Sequence, residues 1–450
     1  MIYILGALAA AAIVGALTLV MRRRPDAFPL LAIFALPFRL PISTDGRTVN
    51  LLIPLYLIIA AGTLGQLVPR WLHRRSLETP RPRPIALEWL LLGAVVLYAF
   101  QSIYSTDHTK AAENIAFFYI PFGLLFMLLR DVRWTRELIL RCLGIAVALA
   151  VVFAGIGFVE YYRKTLFLNP KVIASDQYGN YFRVNSLFFD PNIYGRFLAI
   201  VMIAVTTVVL WARHRREVLI GAGVLAWLLA GLITSFSQSS IAALLLGMTV
   251  LAAYRWDARA TLYVAGALLA VVVVVVFAAP PSLHFGLKGS GGSTSNATSG
   301  RTKLISGGLE LFADRPLYGY GSGSFETEYK RHGNASAANA VSASHTIPIT
   351  VAAEQGIIGL AVYVALLVAA FTTLLRGAGR SPPRPKPGET GLWPASPFRI
   401  ALAACFAALV LHTWTYADFL EDPITWTLLG IGVALARWPA GGDPDSCATT

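Results

Sequence analysis

Charge is scarce in this chain. Asp, Glu, Lys and Arg make up 14% of its 450 residues, against about 25% in soluble domains. That deficit excludes a large soluble globular protein. Cysteine is scarce too. Cys142, Cys405 and Cys447 form no CxxC pair, so neither a disulfide framework nor a cysteine metal centre is implied. There is no HExxH, and His108, His284, His332 and His345 lack ligand spacing to one another, so no metal and no cofactor is expected. A GxSxG nucleophile elbow is absent. So are alternating strand-length patterns, which excludes a membrane β-barrel. Neither solenoid repeats nor a matched pair of broken hydrophobic segments occurs, and the latter absence argues against an inverted-repeat transporter.

What is present is hydrophobicity, at 56% of residues and a mean hydropathy of +0.62. It falls into runs of roughly 15–22 residues, the length of a helix crossing about 30 Å of hydrocarbon. Runs such as 85–100, 138–159, 218–234 and 260–279 are apolar all round instead of striped. Spans are expected near 2–20, 28–38, 51–69, 85–104, 114–129, 138–158, 193–211, 218–234, 241–254, 260–279, 347–375, 398–415 and 423–436. The second, bounded by Pro29 and Pro37, reads as short and re-entrant, so the count is 12 or 13. The fold class is an all-α polytopic transmembrane bundle. Residues 1–279 form an N-terminal bundle of about ten spans with an outer loop at 160–192. Residues 280–344 form an outer loop with short helices, 345–438 a C-terminal set of helices, and 439–450 a disordered tail.

Charge sorts the loops. The segments beginning at 21, 70, 130, 212, 255 and 376, with the tail, carry 23 Lys+Arg against 10 Asp+Glu, leaving 14 of each elsewhere. The whole net charge of +13 thus lies on one side, as the positive-inside rule expects of cytoplasm. The basic balance therefore reports orientation, with no nucleic-acid partner implied, and it puts 160–192 and 280–344 outside. Pro-rich basic linkers at 78–85 and 380–389 fall on the cytoplasmic side.

The outer segment 280–344 is the longest polar stretch. Gly289 to Gly300 reads as a flexible connector. Arg301 to Phe312 then places apolar residues at 304, 305, 309, 311 and 312, a short amphipathic helix. His345, at the mouth of the next span, is a general-base candidate, with an interfacial capping role as the alternative. Arg301, Arg315 and Arg183 are outer-side cations able to grip phosphate oxygens. Arg196 lies inside a span, where a charge needs a partner. The run Gly319-Tyr320-Gly321-Ser322-Gly323 reads as a tight turn before it reads as a phosphate cradle. Glu354 follows His345 by nine residues, which on one ideal helix sets them on opposite faces; a packing role for Glu354 is favoured.

In this order the pieces resemble the bacterial O-antigen ligase and Wzy-type polymerase superfamily. The carrying stretch is Arg301, then 314–325, then Ser344-His345-Thr346 and Glu354 through Leu360. Upstream, 183–196 and Thr234 through Ser240 also resemble it. The resemblance implies a metal-independent, inverting glycosyltransferase of the bacterial inner membrane, facing outward. It implies a polyprenyl (undecaprenyl) pyrophosphate-linked glycan as donor, a glycan or lipid as acceptor, and membrane lipids as surroundings. His345 would activate the acceptor hydroxyl and Arg301 would hold the pyrophosphate. Gln238 stands where the family often has Arg, so Arg183 or Arg196 is expected to supply that charge, and Thr346 replaces the usual Asn. A polymerase, or a flippase without chemistry, is the alternative.

Overall fold

The structure, a computed structural model, describes residues 2–44, 47–69, 84–168, 182–256, 301–333, 344, 346–376 and 396–437, with isolated positions between 259 and 266. The expected span at 260–279, the Gly289–Gly300 connector, most of both Pro-rich linkers, His345, Cys447 and the tail from Pro439 lie outside the described residues.

The chain is an all-α polytopic bundle. Its helices are α1 (Ile2–Arg23), α2 (Ala27–Ala35), α3 (Ile53–Gly62, prolonged by a π turn Thr63–Leu67), α4 (Ala86–Gln101), α5 (His108–Asn114), α6 (Ile120–Arg130), α7 (Arg136–Arg163), α8 (Pro191–Leu210), α9 (Arg215–Thr234), α10 (Gln238–Arg255), α11 (Arg301–Asp314), α12 (Phe325–Arg331), α13 (Ile347–Leu375), α14 (Ser396–Thr415) and α15 (Pro423–Arg437). Seven helical stretches among the described residues are long and apolar enough to cross a membrane, and three more are apolar but shorter. Among the described residues, a helix underlies every other expected span. α2 has nine residues, about 14 Å of helix and half the hydrocarbon core. Leu36–Arg39 carries the chain onward, and Arg39 comes within electrostatic range of Asp422.

One element departs from the all-α expectation. Leu40–Thr44 (β1) pairs antiparallel with Arg47–Leu51 (β2), Leu40 opposite Leu51. The residues between them are Asp45-Gly46, a dipeptide suited to the φ > 0 corners of a hairpin turn. The run of β-branched Ile42, Thr44, Thr48 and Val49 favours extended chain.

The core is a continuous packing of buried apolar side chains from α2 to α15. Small residues set the closest approaches: a Cβ on Gly195 would meet Ser240 Oγ, and one on Gly231 would meet Ala154. Between α5 and α6 the helix widens into a π turn, Ile115–Tyr119. Pro121 cannot donate to Phe117 O, and Tyr56 OH donates to that carbonyl instead, at 2.7 Å.

The helix ends sort into two sets. At one end Glu88 pairs with Arg130 and Arg437, Arg399 donates to Thr373 O, and Arg255 donates to Leu210 O. These are the basic ends. The opposite end gathers 98–114, 183–196, 235–240, 301–333, 346–355 and 412–422, and the candidate site is there.

Candidate functional site

The glycine run is a clasp. Gly319, Gly321 and Gly323 have φ of 68°, 94° and 74°, accessible to glycine without steric cost. A Cβ on Gly319 would collide with Glu354 O, and one on Gly321 with the Ser105 backbone. α13 breaks at Gly356, φ 65° and ψ −163°, where the chain runs beside the turn. Tyr320 N donates to Ala353 O (3.2 Å), Gly321 N to Glu354 O (2.8 Å) and Ile357 N to Pro316 O (2.8 Å). The Glu354 carboxylate receives Gly323 N at 2.8 Å and Phe325 N at 3.1 Å. It thereby satisfies two amides where the chain enters α12. The turn amides of 320, 321 and 323 are thus used within the chain, so the turn reading holds over a phosphate cradle built from them.

The clasp is fastened to the α4–α5 corner. Ser105 Oγ donates to Ser322 O (2.7 Å), Ser322 Oγ to Tyr98 O (2.9 Å) and Gln101 Nε2 to Gln355 O (3.2 Å). Tyr104 OH donates to Tyr318 O and Thr327 Oγ1 to Asp107 Oδ2. Nothing in the sequence reading pointed to this corner. The signal was the polar run Gln101 through Lys110, folded into a span end.

Helix α11 lies over the first turns of α13. Its buried positions are Leu304, Gly307, Gly308 and Leu311, while Leu309 is exposed. The expected stripe through 309 is therefore corrected to 304/307/308/311. The reason is that glycine lets the helices approach closely: a Cβ on Gly308 would meet Ile349 and Phe325. Arg301 is the first residue of α11, about 10 Å along the axis from Gly308. Arg315 stacks over the Tyr320 ring at 4.3 Å, a position on the outer face of the clasp. Tyr320 OH donates to Asp314 (2.7 Å), and with His332 this holds the Asp314 carboxyl below its usual range. α13 starts at Ile347, so His345 precedes the helix and its spacing to Glu354 is not measured along one helix. Ser344 and Thr346 on either side are tied to Thr350 and to each other.

Beside the clasp is a polar cavity of about 100 Å³, walled by Tyr98, Lys110, Asn114, Tyr119, Glu354 and Glu421 together with the first turns of α13 and residues 417–420. Asn114 Nδ2 donates to Glu421 Oε1 at 2.9 Å and to Tyr98 OH at 2.8 Å. Its Oδ1 is buried without a hydrogen-bond partner among the described residues. Burial, then the Asp418 charge, raises Glu421 to about 7, opposed by Lys110. Lys110, Asn114 and Glu421 were not singled out from the sequence; each sits alone in its local pattern and only the fold assembles them.

A second cluster surrounds the start of α10. Ser237 caps this helix, with Phe236 before it at φ 49°. Ser237 Oγ donates to Asn192 Oδ1 (2.9 Å) and meets Ser240 Oγ (2.7 Å), and Ser240 in turn meets His412 Nε2 (3.2 Å). Arg183 donates from Nη2 to Asn192 Oδ1 and from Nε to Ser235 O, each at 3.2 Å. Gln238, exposed, is the first residue of α10. Arg183 therefore lies beside the loop that leads to Gln238. Arg196 does not. It is buried against Asp422, Nη2 to Oδ2 2.8 Å, with both side chains 2% exposed. Glu160, fully buried, receives Ser186 N at 2.7 Å and Phe167 N at 2.9 Å, and so ties Phe167 and Ser186 to the end of α7.

Residues 223–364 match a family model described as O-antigen ligase. The match runs from α9 through the Ser237 cap, Arg301, the clasp and Glu354 into α13, the region from which the resemblance was read. This stretch is an O-antigen ligase domain of the Wzy-type superfamily, within a multi-pass membrane protein. No curated protein matches the chain. Arg183, Arg196, Lys110 and Glu421 lie outside the matched residues.

Proposed function

We propose that the protein transfers a glycan from a polyprenyl pyrophosphate donor to an acceptor hydroxyl at the outer face of the bacterial inner membrane. The observation that carries this reading is the clasp. Glu354 binds the glycine turn to the break in α13, and α11 packs on the turns of α13 that follow His345. The glycine turn, α11 and the start of α13 thereby belong to one packed unit, at the end of the bundle opposite the basic helix termini.

In this reading His345 takes the proton of the acceptor hydroxyl. The oxygen attacks the anomeric carbon from the face opposite the leaving group. The bond from that carbon to the pyrophosphate oxygen breaks, and the polyprenyl pyrophosphate departs with the electron pair. Configuration inverts. Positioned cations stabilise the charge that develops on the leaving group. Arg301 is one, and Arg183 is the second, taking the place of the arginine that Gln238 replaces. The ion pair with Asp422 makes Arg196 a structural cation. The polar cavity offers Lys110, Glu421 and the free Asn114 Oδ1 to sugar hydroxyls.

The test is transfer by the purified protein in liposomes supplied with polyprenyl-pyrophosphate oligosaccharide. His345→Ala is expected to abolish transfer while inserting and folding normally; normal turnover in that variant would sink the assignment. Lipid extracts of a deletion strain then separate ligase from polymerase. Long carrier-linked glycans accumulate when a ligase is lost, and single repeat units when a polymerase is lost.

A further inference from the structure

The serine cluster at the start of α10 holds more hydrogen bonds than a helix cap requires, and their direction can be read. Asn192 Oδ1 can only accept. It receives Arg183 Nη2 at 3.2 Å and Ser237 Oγ at 2.9 Å, one for each lone pair. The single proton of Ser237 is thereby committed. The 2.7 Å contact between Ser237 Oγ and Ser240 Oγ then needs the proton of Ser240. Ser240 Oγ lies farther, 3.3 Å, from Asn192 O, so the shorter contact takes that proton. His412 Nε2, 3.2 Å from Ser240 Oγ, is left as the donor of the last link. A directed chain thus runs from His412 on α14 through Ser240, Ser237 and Asn192 to the Arg183 guanidinium. Its first four members are buried and Arg183 is half-buried.

The backbone supports the chain. Asn192 N donates to Asp190 Oδ1 at 2.6 Å, which fixes the first turn of α8. A Cβ on Gly195 would meet Ser240 Oγ at 2.7 Å and Ser237 Cβ at 3.1 Å, so glycine lets the serines lie against that turn. Arg183 is held at a second point, Nε to Ser235 O at 3.2 Å. Nε and Nη2 form one edge of the planar fork, and bonds at both fix the guanidinium plane. Ser235 and Ser237 come just before Gln238. Their loop therefore grips an arginine from the segment ahead of α8, in place of one at position 238. Held this way, a side chain that would otherwise sample many rotamers is ordered before its ligand arrives. We propose that Asn192 is the positioning residue for Arg183 and turns its guanidinium toward the pyrophosphate of the donor. The inference rests on the assignment of Arg183 as the second cation of the proposed reaction.

The experiment measures binding of radiolabelled polyprenyl pyrophosphate to the full-length protein in nanodiscs, over a double-variant cycle. Arg183→Ala is expected to weaken binding by about thirtyfold, in the range of a hydrogen-bonded charge, and Asn192→Ala by about fivefold. Because Asn192 acts through Arg183, Asn192→Ala is expected to add nothing in the Arg183→Ala background. A role in packing alone would give the same fold-loss in both backgrounds, and that result overturns the inference. Ser237→Ala removes only a hydroxyl from the chain and repeats the cycle should Asn192→Ala fail to fold. A loss of about threefold is expected there, again confined to the protein that keeps Arg183; no loss, or equal loss in both backgrounds, overturns the inference too. Weakened binding in Arg183→Ala with wild-type binding in Asn192→Ala removes the positioning role and leaves Arg183 in the reaction. Wild-type binding in Arg183→Ala removes Arg183 from the donor site, and the inference with it.

Discussion

Glu354 shows how much one side chain decides here. Its two oxygens receive the backbone amides of Gly323 and Phe325, 31 and 29 residues earlier in the chain. Removing the carboxylate strands both donors, at a cost of about 1–3 kcal/mol each. Glu354→Ala is expected to lower the melting temperature in detergent and to open residues 316–331 to protease. Glu354→Gln, which keeps one acceptor oxygen, is expected to recover part of the loss; equal damage from both changes would contradict the capping role. Glu421 carries a different signature. Its folded-state carboxyl is raised to about 7 from 4.5, so the folded protein holds a proton that the unfolded chain has released. That contribution to stability is present below about 4.5 and is lost as pH rises through about 7. Thermal stability is expected to fall between those values, and Glu421→Gln to flatten the fall. A wild-type profile that is level or rising over that window would refute it.

At the scale of elements, the apolar runs announced their own helices, because twenty hydrophobic residues in lipid have few ways to satisfy their backbone other than as helix. The hairpin at 40–51 was not read, although Asp45-Gly46 signals one, because the surrounding hydrophobicity suggested spans. The α11 stripe was misplaced by reading apolar residues alone; the helix buries two glycines, whose value is closeness and not hydrophobicity. The fate of Arg196 was half legible. A charge inside a span demands a partner, but nothing local says that the partner is Asp422, at the start of α15. That pair joins α8 to α15. Asp422→Leu alone leaves the arginine buried and uncompensated, a loss of about 3–5 kcal/mol. The double variant Arg196→Met with Asp422→Leu removes both charges and is expected to restore stability and retain transfer activity. Restored folding without activity would return Arg196 to the list of donor-binding residues, and full activity in Arg183→Ala would remove Arg183 from it.

For the whole molecule, function depends on which end of the bundle faces outward. The charge bookkeeping and the fold converge on one division: helix termini rich in arginine gather at one end, and the clasp, the cavity and the serine cluster gather at the other. The positive-inside rule expects the first end in the cytoplasm, and the proposed function requires the clasp on the opposite face. The native cysteines permit a direct test. Cys142 and Cys405 are buried, and Cys447 lies in the tail that the charge count assigns to the cytoplasm. Leu317, 64% exposed on the clasp, is a suitable reporter. In Leu317→Cys, a membrane-impermeant maleimide applied to spheroplasts is expected to label residue 317 and to reach Cys447 only after permeabilisation. The reverse order would invert the topology, and with it the requirement that donor and acceptor meet on the outer face.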